Sequence, residues 1–84
     1  MSEGPSLFDQ ILEKVGYILN KDSPMDELNK LVVMEYSLNP IFTRLGYDEV
    51  FDIVMQKFIK AYHDEELMEL WNAYKFYESL SKAA

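Results

Sequence analysis

The chain has 84 residues, of which 49% are hydrophobic and 14% aromatic, and its formal net charge at pH 7 is −7. This length predicts one small domain, and the absence of cysteine excludes disulfide bonds and thiolate-based sites. The excess of acidic residues opposes binding to a phosphate backbone, because such binding depends on lysine and arginine.

The sequence also predicts the location of the protein and the limits of its domain. No apolar run approaches the roughly 20 residues of a membrane-spanning helix, and residues 1–5 lack the basic segment of a signal peptide. With no cysteine in the chain, we expect a cytoplasmic protein that does not interact with membranes. Residues 1–5 are expected to form a disordered tail, and residues 6–84 a single helical domain.

The first predicted helix covers residues 7–20 and begins after Ser6, a favourable N-cap residue. Gly16 either weakens this helix slightly or marks a close helix–helix contact. Apolar residues recur in it at the spacing of one helix face: Phe8, Ile11, Leu12, Val15, Ile18 and Leu19.

The next predicted helix covers residues 24–38. Ser23 is expected to cap it, and Pro24 suits the first helical position. Asn39 and Pro40 end it, because the residue before a proline is disfavoured in a helix. The same pair can start a short helix that runs to about Leu45.

The fourth predicted helix begins at Asp48, its expected cap, and its core-facing residues are Phe51, Val54, Met55, Phe58, Ile59 and Tyr62. Continuing this pattern would require apolar residues near positions 65, 66 and 69, which are all glutamate. A break at His63 and Asp64 is therefore predicted, followed by a fifth helix over residues 65–80. Its core-facing residues are expected to be Leu67, Leu70, Trp71, Tyr74 and Tyr77.

These elements predict an all-α fold. Its expected form is a compact antiparallel bundle of four amphipathic helices plus one short helix, because the predicted connections are short.

Glu35 is a single carboxylate in the apolar run LVVMEYSL, residues 31–38. A helical projection places it on the same side as Leu28 and Val32, where an unpaired carboxylate would be costly. Three interpretations remain open. The side chain can reach solvent, it can form a structural ion pair, with Arg44 as the candidate partner, or it can be a catalytic carboxylate.

The sequence predicts no catalytic, metal or cofactor site, and hence no enzyme. The single histidine, His63, with Asp64 and Glu66 is weaker than a zinc-binding pattern. The acidic clusters at residues 48–52 and 64–66 are explained by the helix dipole. Residues 40–57 resemble a helix-turn-helix in outline, but its second helix would begin with acidic residues. Direct DNA binding is therefore not expected.

Several apolar residues fall away from the predicted core faces. Such residues either belong to a core that covers more than one face of each helix, or they form a patch that binds a partner. The candidate partner-binding residues are Phe76, Met68, Leu80, Ile53, Val33 and Met34.

We therefore expect a non-enzymatic protein–protein interaction domain, a small acidic adaptor, regulator or chaperone that binds a protein partner through an apolar helical surface. A homodimer through the second or the last helix is one form of this interpretation. The alternative is an acidic inhibitor or immunity-type protein that blocks a basic active site or nucleic-acid groove. Carboxylates gathered on one face would favour the inhibitor.

Overall fold

The computed structural model describes residues 6–83, which contain helices and turns but no β-strand. The elements are α1 (Leu7–Leu19), α2 (Pro24–Leu38), a short 3-10 helix (Pro40–Arg44), α3 (Tyr47–Tyr62) and α4 (Glu65–Ala83). The predicted all-α bundle of four helices plus one short helix is confirmed. The predicted tail, residues 1–5, lies outside the described residues, as does residue 84.

Two of the predicted helix caps are present. The Oγ atom of Ser6 accepts a hydrogen bond of 3.1 Å from the backbone N–H of Asp9 at the start of α1. At the start of α4, Asp64 Oδ1 accepts one of 2.9 Å from the N–H of Leu67. Each bond satisfies a backbone donor that has no partner within its helix.

The other two predicted caps differ from expectation. Ser23 occupies the N-cap position of α2, but its side chain forms no capping hydrogen bond. Helix α3 begins at Tyr47, so Asp48 lies inside its first turn. Gly46 takes the N-cap position, and its N–H donates a 2.8 Å hydrogen bond to Glu49 Oε1. The glutamate three residues after the cap therefore stabilises this helix start.

All four long helices contribute to one hydrophobic core. Trp71, as predicted, is 5% exposed and belongs to this core. Tyr62 and Tyr77 were expected to be core residues, but both are more than half exposed. The buried residues are Ile11, Val15, Leu28, Val32, Val50, Phe51, Val54, Met55, Phe58, Leu67 and Trp71.

Helices α1 and α4 run side by side in opposite directions. Lys14 in the second half of α1 contacts Glu66 at the start of α4, whereas Phe8 at the start of α1 packs on Tyr74. Helix α1 has 13 residues and α4 has 19. The last turns of α4 therefore extend past the first residue of α1, and this difference in length explains why Tyr77 is not covered.

Gly16 is located where α1 approaches the turn that leads to α2. A Cβ atom at this position would lie 3.2 Å from the backbone oxygen of Lys21 and 3.4 Å from Cγ of Pro24. The glycine thus permits a close approach to the backbone of the turn and to Pro24, the first residue of α2, so the expected helix–helix contact is found only at the start of α2.

Candidate functional site

The main exposed apolar surface on α4, which we call the α4 outer face, consists of Ala73, Phe76, Tyr77 and Leu80. Their spacing of three, four and seven residues places them on adjacent turns of one side of the helix. The exposed fractions are 59% for Phe76, 59% for Tyr77 and 51% for Leu80, and Ala73 is half-buried. Single exposed apolar residues are common, but a group of neighbours is typical of a partner surface.

The two aromatic rings of this face are in direct contact. Phe76 and Tyr77 meet edge to face, with centroids 5.5 Å apart and an interplanar angle of 70°. This arrangement is favourable for an aromatic pair. The two rings therefore form one continuous apolar surface, which Leu80 extends by a further turn.

Lys75 fixes the rotation of α4 from the opposite side. Its Nζ atom lies 2.7 Å from Asp52 Oδ2 on α3 and 2.5 Å from Glu78 Oε1, and 5.6 Å from the centroid of Trp71. Burial lowers the pKa of Lys75, but hydrogen bonding and attraction to the two carboxylates outweigh it, so the pKa is raised. With Lys75 and Trp71 turned toward α3, the α4 outer face points away from the core.

Toward the start of α4, the same side of the helix carries acidic residues in place of apolar ones. Glu69 precedes Ala73 by one turn, and Glu66 lies one turn earlier. Beside them, an open cleft of about 580 Å³ separates α1 from α4. The cleft is lined by Gln10, Glu13, Lys14, Tyr17, Glu66 and Leu70.

Lys14 partly neutralises this acidic region. Its Nζ atom lies 2.7 Å from Glu66 Oε1 and 3.5 Å from Asp64 Oδ2. The hydrogen bond to Glu66 raises the pKa of Lys14, burial lowers it, and attraction to Asp64 and Glu66 raises it further; the net pKa is raised. Glu13, Glu65 and Glu69 form no ion pair within residues 6–83.

The structure separates the six candidate partner-binding residues. Phe76 and Leu80 lie together on the α4 outer face. Met68 is on another side of α4, in a cleft of about 470 Å³ between the end of α3 and the start of α4. Val33 is exposed in the second half of α2, at one end of an open depression that extends from the turn before α2. Met34 lines a groove between α2 and α3.

Ile53 does not have the expected exposure. It is half-buried, because the buried face of α3 extends to Val50, one turn earlier on the same side. The helical projection did not identify this extension, since Val50 was not assigned to the core-facing residues of α3.

The groove between α2 and α3 has a volume of about 490 Å³. Its apolar lining includes Leu31, Met34 and Phe58, and two ion pairs lie at its rim. One joins Lys30 to Glu27, with 3.4 Å between Nζ and Oε2. The other ion pair, between α2 and α3, involves Glu35.

The structural ion pair is the correct interpretation of Glu35. Its Oε2 atom lies 2.9 Å from Lys57 Nζ, and its Oε1 atom accepts a 3.3 Å hydrogen bond from Asn39 Nδ2. The Glu35 side chain is 16% exposed, so extension into solvent is wrong. Arg44 was the wrong partner, because the partner comes from the following long helix.

Side chains for metal chemistry are dispersed in residues 6–83. No group of three or more histidine, aspartate or glutamate side chains in this range is arranged to hold a metal ion. His63 ends α3 in a left-handed backbone conformation, with φ of 54°, and is exposed. Its position is explained by the turn between α3 and α4.

Comparison of the chain with models of protein families, with curated proteins and with solved structures gives no match. Within the described part of the chain, no helix has both the length and the apolar character needed to cross a membrane.

Sequence reasoning missed two of the exposed aromatic residues. Tyr77 was assigned to the core, although it follows Ala73 by four residues and precedes Leu80 by three. This second apolar pattern on α4 shows that Tyr77 fits the outer side of the helix as well as the core side, but periodicity alone does not decide between them. Tyr17 on α1 is also exposed. Its ring lies 5.6 Å from Nζ of Lys14, three residues earlier, which is a spacing at which side chains on one helix are neighbours.

Proposed function

We propose that this protein is a non-enzymatic protein–protein interaction domain that binds a protein partner through the α4 outer face. The single observation that supports it is the group of Phe76, Tyr77 and Leu80, each more than half exposed on adjacent turns. Transfer of one large apolar side chain from water to a buried position is favourable by about 1.5 to 3 kcal/mol. A partner would recover this free energy, which the isolated domain does not use.

The α4 outer face is a better candidate than the groove between α2 and α3. Phe58 in the groove is part of the buried core, and ion pairs already hold lysines at the rim. On α4, by contrast, the apolar side chains of the outer face are exposed, and no ion pair lies between them within residues 6–83. Aromatic residues are also enriched at the centres of interfaces.

The acidic residues favour an interaction domain over the acidic inhibitor. Most of them lie at the beginnings of the helices, as do Asp9 in α1, Asp26 in α2 and Asp48 in α3. Several others are neutralised within the domain, among them Glu35, Asp52 and Glu78. An inhibitor that mimics a nucleic acid would need carboxylates gathered on one face.

The other parts of the proposal follow from composition and charge. DNA binding is not proposed, because α3, the second helix of the helix-turn-helix outline, begins with Asp48 and Glu49. The cysteine-free chain suits the reducing cytoplasm, where we place the protein.

Affinity capture with matched variants tests the proposal. The protein, Phe76→Asp and Val33→Asp are each immobilised and exposed to a lysate of the source organism, and bound proteins are quantified by mass spectrometry. Val33 is a matched control, because it is exposed and apolar but lies on α2 and not on α4. We expect one partner to be retained by the control and reduced about thirtyfold by Phe76→Asp, as for an interface-centre residue worth about 2 kcal/mol.

Identical capture by all three proteins would contradict the proposal, provided that circular dichroism shows Phe76→Asp to be folded. A parallel capture with Leu80→Asp extends the test along the same face. Loss with Val33→Asp and retention with Phe76→Asp would move the binding surface to α2.

A further inference from the structure

We propose that the α4 outer face binds a basic amphipathic helix supplied by another protein. This inference rests on the proposed function and specifies the class of partner. It follows from the shape of the surface along α4, from the charges that continue it, and from the net charge of the chain.

The side chains of this surface form a row that runs along α4. Glu66, Glu69, Ala73, Phe76 and Leu80 are separated alternately by three and four residues. This spacing keeps side chains on one seam of a helix and is the pattern that a second helix packs against. From Glu66 to Leu80 the seam is about 21 Å long, at about 1.5 Å per residue, which corresponds to about four turns of a bound helix.

The charge changes along this seam. Its first two positions, Glu66 and Glu69, are exposed carboxylates, whereas Ala73, Phe76 and Leu80 are apolar. Glu13 of α1 faces the same cleft, and Lys14 provides a single positive charge that Asp64 and Glu66 already share. A complementary helix therefore has apolar residues over one half and lysine or arginine over the other.

A second copy of this chain does not have this complementarity. Each copy carries a formal charge of −7, so two copies repel each other. In the last turns of α4 the basic residue is Lys82. At about 100° per residue it lies nearly opposite the seam. Self-association would therefore give Glu69 no positive partner and would give Glu66 none beyond Lys14 of its own chain.

Two synthetic peptides of four to five turns provide a defined test. Both peptides have the same row of leucine and alanine residues along one side of the helix. They differ in the polar positions of one half, which are lysine in the first peptide and glutamate in the second. Affinity is measured by fluorescence anisotropy at low and at physiological salt. We expect the basic peptide to bind at least tenfold more tightly than the acidic one, and to lose affinity as salt increases.

Charge-matched variants identify the binding surface. The test is a double variant with Glu66→Gln and Glu69→Gln. The control is a double variant with Asp22→Asn and Asp26→Asn, and each of the two removes two negative charges. Asp22 and Asp26 line the depression beside the turn before α2, away from the seam. We expect the first pair to weaken the basic peptide about tenfold and the control pair to weaken it no more than twofold. Phe76→Asp should weaken both peptides.

The outcomes separate this inference from the proposed function. Equal affinity for the two peptides, equal effects of the two charge-matched pairs, or binding of the basic peptide weaker than about 1 mM would overturn the basic-helix inference. In these cases partner capture that still depends on Phe76 would leave the proposed function intact. Sedimentation showing a dimer that Phe76→Asp dissociates would identify a second copy as the occupant and would also overturn it.

Discussion

The two halves of α4 have the same secondary structure but opposite relations to the rest of the domain. In the first half, Leu67 and Trp71 are buried and form part of the core. In the second half, Phe76 and Leu80 are exposed on the other side of the helix. Both halves have apolar residues at helical spacing, so periodicity alone does not distinguish a core face from a partner face.

The difference comes from the neighbouring helix. Helix α1 lies beside the first half of α4 and ends its coverage where Phe8 packs on Tyr74. Beyond Tyr74, the inner side of α4 is anchored by Lys75 to Asp52, and its outer side has no covering element within residues 6–83. An apolar pattern is buried where the fold supplies a surface against it, and otherwise it is available to a partner.

The largest effect should come from Trp71→Ala in the buried half. This variant removes a large aromatic side chain from a position that is 5% exposed and leaves a cavity next to Phe51. We expect a loss of about 3 to 5 kcal/mol in the free energy of unfolding, measured by urea denaturation. A midpoint close to that of the unmodified protein would show that the first half of α4 is not a core element.

A smaller loss is expected from removing the cap that starts the buried half. Asp64→Ala should cost about 1 kcal/mol, because the N–H of Leu67 loses its acceptor. Asp64→Asn, which retains a capping oxygen, should cost less. Ser23→Ala is the control and should have little effect, since Ser23 forms no side-chain capping bond. Equal losses for Asp64→Ala and Ser23→Ala would contradict this ranking.

The pH dependence of stability probes the anchor of the second half. The hydrogen bond from Lys75 lowers the pKa of Glu78 from its ordinary value of 4.5, against a raising effect of burial. Its stabilising contribution is therefore present above about pH 4.5 and is lost as the pH falls through the lowered pKa. The pKa of Lys75 is raised, so its stabilising contribution is fully present below about pH 10.5 and is lost as the pH rises through the raised pKa.

Lys75→Met should remove this part of the pH dependence at both ends. Between pH 5 and pH 10 both contributions are present, so Lys75→Met should lower the free energy of unfolding there. Because these side chains are about one-third exposed, we expect this loss to be at most about 1 kcal/mol. Thermal denaturation of the two proteins from pH 3 to pH 11 measures it. Parallel curves at all pH values would show that Lys75 does not contribute through its charge.

The smallest effect on stability should come from Phe76→Asp in the exposed half. A substitution on an exposed surface usually changes the free energy of unfolding by no more than about 0.5 kcal/mol. The melting temperature should therefore remain within about two degrees of the unmodified protein, in contrast to Trp71→Ala. Cooperative melting at a much lower temperature would show that Phe76 is a core residue and that the two halves of α4 do not differ.

The sequence was sufficient to predict the helices, because their signals are local. Ser6 and Asp64 begin α1 and α4 as predicted, and the change of phase after His63 identified the break between α3 and α4. The exposure of Phe76 and Leu80 also followed from their angular positions. Ser23 shows the limit of local reasoning, since its position is correct but its side chain does not form the expected bond.

Contacts between distant parts of the chain were not predictable in the same way. Glu35 pairs with Lys57, 22 positions later, and no spacing rule connects residues on different helices. Tyr77 fits the core pattern of α4 as well as Trp71 does, but its exposure depends on where α1 begins. Both results depend on the packing of helices, which a periodic pattern in one helix does not contain.

The length of α4 relative to α1 also has a consequence for backbone amide exchange. Amides in the middle of α4, around Trp71, lie under tertiary packing, so their protons should exchange with solvent only when the whole domain opens. In the last turns, after Phe76, the hydrogen bonds belong to a helix end that can fray without disturbing the core. One continuous helix should therefore show two rates of deuterium uptake, and a bound partner should slow the faster one.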